Sequence, residues 1–178
     1  METVAAALHK HRIEPRFLDL ELTEGMLMRD IADSAQQISD LRALGVNISI
    51  DDFGTGYSSL SYLQRLPIDN LKIDRCFVED MHRPDSTQPL VQAVVGLAHS
   101  MRMTATAEGV ETESELAVLH ALGCDEVQGY LLGRPRPPRQ AEAFLRTRAA
   151  HLLSGSSTGR ELGGRVTLPA SASSIEMS

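Results

Sequence analysis

Carboxylates recur in this 178-residue chain where short apolar runs come to an end: Glu21 in "FLDLELT", Asp51 and Asp52 after "VNISI", Glu108 after "TATA", with Lys72 in "NLKID" and Gln128 after "EV". Two adjacent carboxylates at the mouth of a buried run repel each other, so a cation belongs there, either a metal ion or a lysine. Carboxylate and amide oxygens are hard donors and suit Mg²⁺ or Mn²⁺ rather than a thiophilic metal. Asp51 and Asp52 could serve one ion each, or hold a pair about 3.5 to 4 Å apart as two-metal hydrolases do. A protonated Lys72 cannot ligate a metal, but it can neutralise a carboxylate or the charge that develops on a phosphoryl oxygen. Metals and Lys72 together would invert the local sign, so an anionic substrate becomes acceptable.

These residues need elements that bring them together. Short runs rich in β-branched residues alternate with longer stretches of helical period, the pattern of βα units and a parallel sheet. Strands are predicted at 17–23, 46–53, 70–74, 103–108 and from Glu126 through "EVQGYLLG". The helix after the first strand carries Ile31, Ala35, Ile38, Leu41 and Leu44 on one face, between Asp30 as N-cap and Gly45 beyond its end. "SSLSYLQRLP" predicts a short helix stopped by Pro67, and 89–101 a helix with Leu90, Val94, Leu97 and Met101 on one side. Thr112 to Glu115 fits a capping box for a helix that ends at Gly123, and 138–153 a closing helix. Residues 2–12 read as a further helix at the start. In a (β/α) barrel the carboxyl ends of neighbouring strands converge on one face, so residues spread along the chain meet in one pocket. A lone carboxylate at a strand end is commonly a helix cap; several in register with a lysine argue for a site.

Composition narrows the classes. A hydrophobic content of 42% supports a single globular domain over 1–153, whereas 154–178, rich in Ser, Gly and Ala, reads as a disordered tail. A net charge of −7 argues against binding to DNA, RNA or an anionic membrane surface. No stretch approaches the roughly 18 apolar residues of a membrane span, and no secretory leader is evident, so a cytoplasmic location is expected. Cys76 and Cys124 lack metal-ligand spacing and read as small buried thiols; the histidines show no ligand pattern, and His9, His11 and His82 read as exposed. Gly54 and Gly56 permit a sharp turn over the strand mouth, and Phe53 and Tyr57 read as packing residues.

The segments "LELTEGMLM", "IDDFGTGYSSLSYLQRLPIDNLKID", "TATAEGVET" and "GCDEVQGYLLGRP" resemble the EAL-domain cyclic-di-GMP phosphodiesterases of bacterial signalling. The resemblance runs from about Phe17 to Pro137 and implies an α/β fold, a TIM-like (β/α) barrel of EAL type. It implies hydrolysis of cyclic-di-GMP to linear pGpG with Mg²⁺ or Mn²⁺. By resemblance Glu21 and Asp51 are ligands of a first metal and Asp52 of a second. Lys72 is similar to the lysine beside the scissile phosphate, and Glu108 to the general base or metal-bound carboxylate. Glu111 and Gln128 match further site residues, and Glu24 the glutamate that steadies the "DDFGTG" loop and couples it to dimerisation.

The Glu-Ala-Leu motif that names the family, and a following asparagine ligand, fall upstream of the first residue here. About the last five βα units of the roughly eight in such a barrel are therefore expected, with two exposed sheet edges that a homodimer or an intact EAL protein would cover. Whether this incomplete barrel catalyses on its own stays open at this point. The alternatives are a non-catalytic regulatory module and an inactive remnant, and the residues read without the family also suit an enolase-like barrel.

Overall fold

The computed structural model describes residues 2–27, 31–56, 63–79, 81 and 86–154. Its centre is a five-stranded, all-parallel sheet whose strands lie side by side in chain order: β1 Asp19–Thr23, β2 Asn47–Phe53, β3 Asn70–Ile73, β4 Thr104–Ala107 and β5 Glu126–Val127. Around it run α1 Glu2–His11, α2 Glu24–Leu27, α3 Ile31–Ala43, α4 Arg75–Val78, α5 Gln88–Ser100, α6 Glu113–Ala121 and α7 Pro138–Ser154. This is the expected α/β architecture, about five βα units of a TIM-like barrel. Among the described residues β1 and β5 each pair on one side only, leaving two open edges. No described helix is long and apolar enough to cross a membrane.

Successive side chains along a strand point to opposite faces. Ile48, Ile50, Leu71, Ile73, Ala105 and Ala107 are fully buried on one face and join a core with Val91, Val94, Val95 and Ala98 of α5. The alternate positions are polar along the first four strands: Asp19 and Glu21, Ser49 and Asp51, Asn70 and Lys72, Thr106 ahead of Glu108. The first members of these pairs form a belt across the sheet. Ser49 Oγ donates to Asp19 at 2.7 Å, Asn70 Nδ2 donates to Ser49 Oγ at 3.3 Å, and Thr104 and Thr106 donate to Asn70 Oδ1 at 3.0 and 3.1 Å. Buried Ser49, Asn70 and Thr106 thus satisfy one another beneath the second members, which form the site.

The capping box is present. Thr112 accepts from the Glu115 N–H at 3.2 Å, and Glu115 accepts from the Thr112 N–H at 3.0 Å and the Glu111 N–H at 2.8 Å. Thr112→Ala is therefore expected to cost about 1 kcal/mol in denaturant unfolding. α3 ends before Gly45 and α6 before Gly123, both as expected. At Gly129 the chain crosses Val110 so closely that a first side-chain carbon would sit 2.7 Å from the Val110 carbonyl carbon, nearer still to its O and N. Backbone cannot yield as a side chain can, so Gly129→Ala is expected to cost at least about 2 kcal/mol in the same measurement.

Several expectations are corrected. The first strand begins at Asp19, because Pro15–Phe17 forms a 3₁₀ turn with Pro15 at its start and Phe17 left 66% exposed. α5 buries Val91, Val94, Val95 and Ala98 and leaves Leu90 45% exposed; the 91, 94, 95, 98 spacing is the better helical stripe. β5 is only two residues long, since the chain turns at Gln128 to donate to Ala107 and to accept from Val110. Cys76 is exposed on α4, whereas Cys124 is half-buried and donates to the Ala105 and Glu126 carbonyls. As expected, Phe53 is a buried packing residue, and His9 and His11 are exposed. Asp30, Tyr57, His82, most of the expected "SSLSYLQRLP" helix and the 155–178 tail lie outside the described residues.

Candidate metal centre

Lys72, at the third position of β3, is 5% exposed, so its ammonium needs partners. It has three. Nζ lies 2.6 Å from Glu21 Oε1, 3.0 Å from Asp51 Oδ1 and 2.6 Å from Glu108 Oε1. Residues from β1, β2, β3 and the end of β4 thus meet at one point, as convergence of strand ends requires. Burial works against the Lys72 ammonium, but its hydrogen bonds to Glu108, Glu21 and Asp51 outweigh it and raise the pKa above the ordinary lysine value. Burial raises the Glu108 carboxyl above its ordinary range, and the bond to Lys72 pulls the other way.

Adjacent residues of a regular strand face opposite sides, yet Asp51 and Asp52 both serve this site. The reason is a bulge. The β2–β3 register shifts between Ile50 and Phe53, and Asp52 takes a left-handed φ of +55°, which swings its carboxylate back to the side of Asp51. One carboxylate oxygen each from Asp51, Asp52 and Glu108 lie within 4.8 Å of one another. Burial raises the Asp52 pKa, and the Asp51 and Asp74 charges push it further. Asp74 caps α4 through the Cys76 N–H at 2.9 Å, and its bonds to Cys76 hold its pKa below the usual range. Three hard carboxylate oxygens gathered this closely, with further negative charge from Asp74 nearby, have the donor chemistry of a divalent-cation site.

The remaining predicted residues take different places. Glu24 is 7% exposed at the start of α2, and among the described residues neither carboxylate oxygen has a hydrogen-bond partner. It lies against the "DDFGTG" loop: a side chain on Gly56 would meet Glu24 Oε1 at 2.9 Å, while Gly54 takes the positive φ of the turn. Glu111 stands at the rim, 3.1 Å from Arg75 Nη2. Gln128 joins β5 to this rim through its backbone bonds to Ala107 and Val110. Sequence reasoning did not single out Asp74 or the polar belt. The signal for both was there, in the acid that follows "NLKI" and in the polar residue two places before each site residue.

The family model described as EAL domain matches residues 1–135. The chain belongs to the EAL-domain family. It is 48% identical over 145 residues to MucR of Pseudomonas aeruginosa, a bifunctional diguanylate cyclase/cyclic di-GMP phosphodiesterase, covering 82% of this chain and 21% of that protein. The EAL fold is matched in the solved MucR phosphodiesterase, a c-di-GMP complex, with a TM-score of 0.75 and 48% identity over 79% of this chain and 57% of that one. A manganese/cy-diGMP complex of Klebsiella pneumoniae BlrP1 matches with a TM-score of 0.69 and 33% identity over 75% of this chain and 34% of that one. The EAL chain described here thus spans a fifth of MucR and little more than half of its solved phosphodiesterase.

Proposed function

We propose that this chain carries the metal-binding and catalytic face of a cyclic-di-GMP phosphodiesterase, which adds water across one phosphodiester to give linear pGpG. The observation that carries the reading is the convergence of Glu21, Asp51 and Glu108 on Lys72, with Asp52 beside them. MucR and BlrP1, both solved with c-di-GMP, support the substrate, and the manganese of the BlrP1 complex supports a divalent cation. Glu21, Asp51 and Asp52 would hold Mg²⁺ or Mn²⁺, which when bound supplies charge stabilisation for the phosphoryl oxygens and a nucleophilic water. Glu108, partly shielded and raised in pKa, is placed to ligate or to take a proton from that water. Lys72, whose ammonium lies among these carboxylates, would offer its positive charge to the phosphate. Glu24, Glu111 and Gln128 support this face without belonging to the carboxylate cluster.

The open edges of β1 and β5 favour a second element in the same reading: a further copy, or an intact EAL domain, completes the sheet. The deciding experiment is hydrolysis of cyclic-di-GMP by the purified chain with Mn²⁺, alone and mixed with an intact EAL domain made inactive by substitution of its own catalytic glutamate, with mass measured by light scattering. Conversion to pGpG by an associated species is expected. A monomer with no turnover in either mixture contradicts the proposal.

A further inference from the structure

Glu108 and Glu111 belong to one turn, and a single side chain outside it touches both its backbone and its charge. Gly109, between them, has φ +71°, and a first side-chain carbon there would sit 2.6 Å from Arg75 Cβ and 2.8 Å from Arg75 Cδ, closer still to Cγ. The aliphatic stem of Arg75 therefore fills the space that a residue other than glycine would need. Its guanidinium reaches past the turn to Glu111, 3.1 Å from Nη2, while Nε pairs with Glu79 on its own helix. The Glu108 N–H donates to the Ile73 carbonyl at 3.0 Å and the Val110 N–H to the Gln128 carbonyl at 3.0 Å, so the turn is held to β3 on one side and to the chain after β5 on the other. Arg75 closes the side left open between them.

We propose that Arg75 is a positioning residue: its stem, laid over Gly109, and its bond to Glu111 set the turn that delivers the Glu108 carboxylate to Lys72 and Asp51. Arg75 follows Asp74, so the α4 start that is capped beside Asp52 is the same segment that braces the turn of Glu108. The two sides of the carboxylate cluster are thereby set by neighbouring residues. Half-exposed and paired with Glu79 and Glu111, Arg75 acts through packing and orientation.

The test compares the whole chain with Arg75→Ala and Arg75→Lys, first without metal and then with Mn²⁺. Amide exchange at Glu108 and Val110 is expected to rise about tenfold in the alanine variant and to stay within about twofold in lysine, whose stem fills the same space and whose ammonium reaches Glu111. Mn²⁺ binding, read by electron paramagnetic resonance, is expected to weaken by about tenfold in alanine and recover in lysine. Unchanged exchange at both amides in Arg75→Ala overturns the proposal. If alanine loosens the entire chain, lysine decides: protection near the original value upholds the role, and loss equal to that of alanine overturns it. The metal readout rests on the phosphodiesterase reading and the exchange readout does not. A wild-type chain that binds no Mn²⁺ but shows the exchange pattern refutes that reading alone.

Discussion

Glu108→Gln is expected to abolish cyclic-di-GMP hydrolysis and to weaken Mn²⁺ binding by about 100-fold or more, while the chain stays folded. Glutamine keeps the shape and can still accept from Lys72, which retains Glu21 and Asp51 as ionic partners. What is lost is a negative charge that the cation needs and a base that water needs. Burial already disfavours the charge on Glu108, so removing it relieves the metal-free protein of a cost. The unfolding midpoint without metal should therefore hold or rise. Asp51→Asn should likewise lose turnover and bind Mn²⁺ more weakly, since Asp51 contacts Lys72 and belongs to the metal cluster. Near-normal turnover in either variant would refute the assigned roles.

Lys72→Met should have the opposite signature. The lysine sits among Glu21, Asp51 and Glu108, and methionine would leave three carboxylates facing one another around an apolar tip. Removing one partner of a buried ion pair costs about 3 to 5 kcal/mol. Glu21 and Asp51 keep some access to water, with side-chain exposures of 42% and 24%, so the lower end, about 3 kcal/mol, is expected without metal. Mn²⁺ would supply the missing positive charge, and most of that loss should be recovered on adding it. Denaturant melts with and without Mn²⁺ check this: equal losses in both conditions would mean that lysine and metal do not share the same carboxylates. Turnover should stay low even with metal, because the ammonium beside the phosphate is gone.

Much of this site was legible because strand-end chemistry has a simple geometry. Alternating elements implied a parallel sheet, and a parallel sheet places Glu21, Asp51, Lys72 and Glu108 at one end without any knowledge of loops. The Thr112 capping box was legible for a similar reason, since both partners lie within four residues. Other features depended on the third dimension. That Asp51 and Asp52 share a side follows from a bulge and a left-handed backbone at Asp52, and the adjacency of two acids alone does not announce either. The place of Arg75 depends on Gly109 lying beneath its stem, a contact between distant segments that no local pattern announces. Phe17 and Leu90 misled because apolar character was read without its surroundings: one sits in a proline-started turn, the other a step off the buried stripe of α5. The shortness of β5 reflects hydrogen bonds made by Gln128 to two other segments, which no local pattern encodes.

The most direct test of the central claim, that these strand ends form a divalent-cation site, is a Mn²⁺ titration of the purified chain followed by electron paramagnetic resonance, beside Glu108→Gln. Loss of the free-ion signal in the wild type, and its persistence in the variant at the same concentrations, is the predicted result. A free-ion signal that persists in the wild type, or is lost equally in the folded variant, would contradict the account.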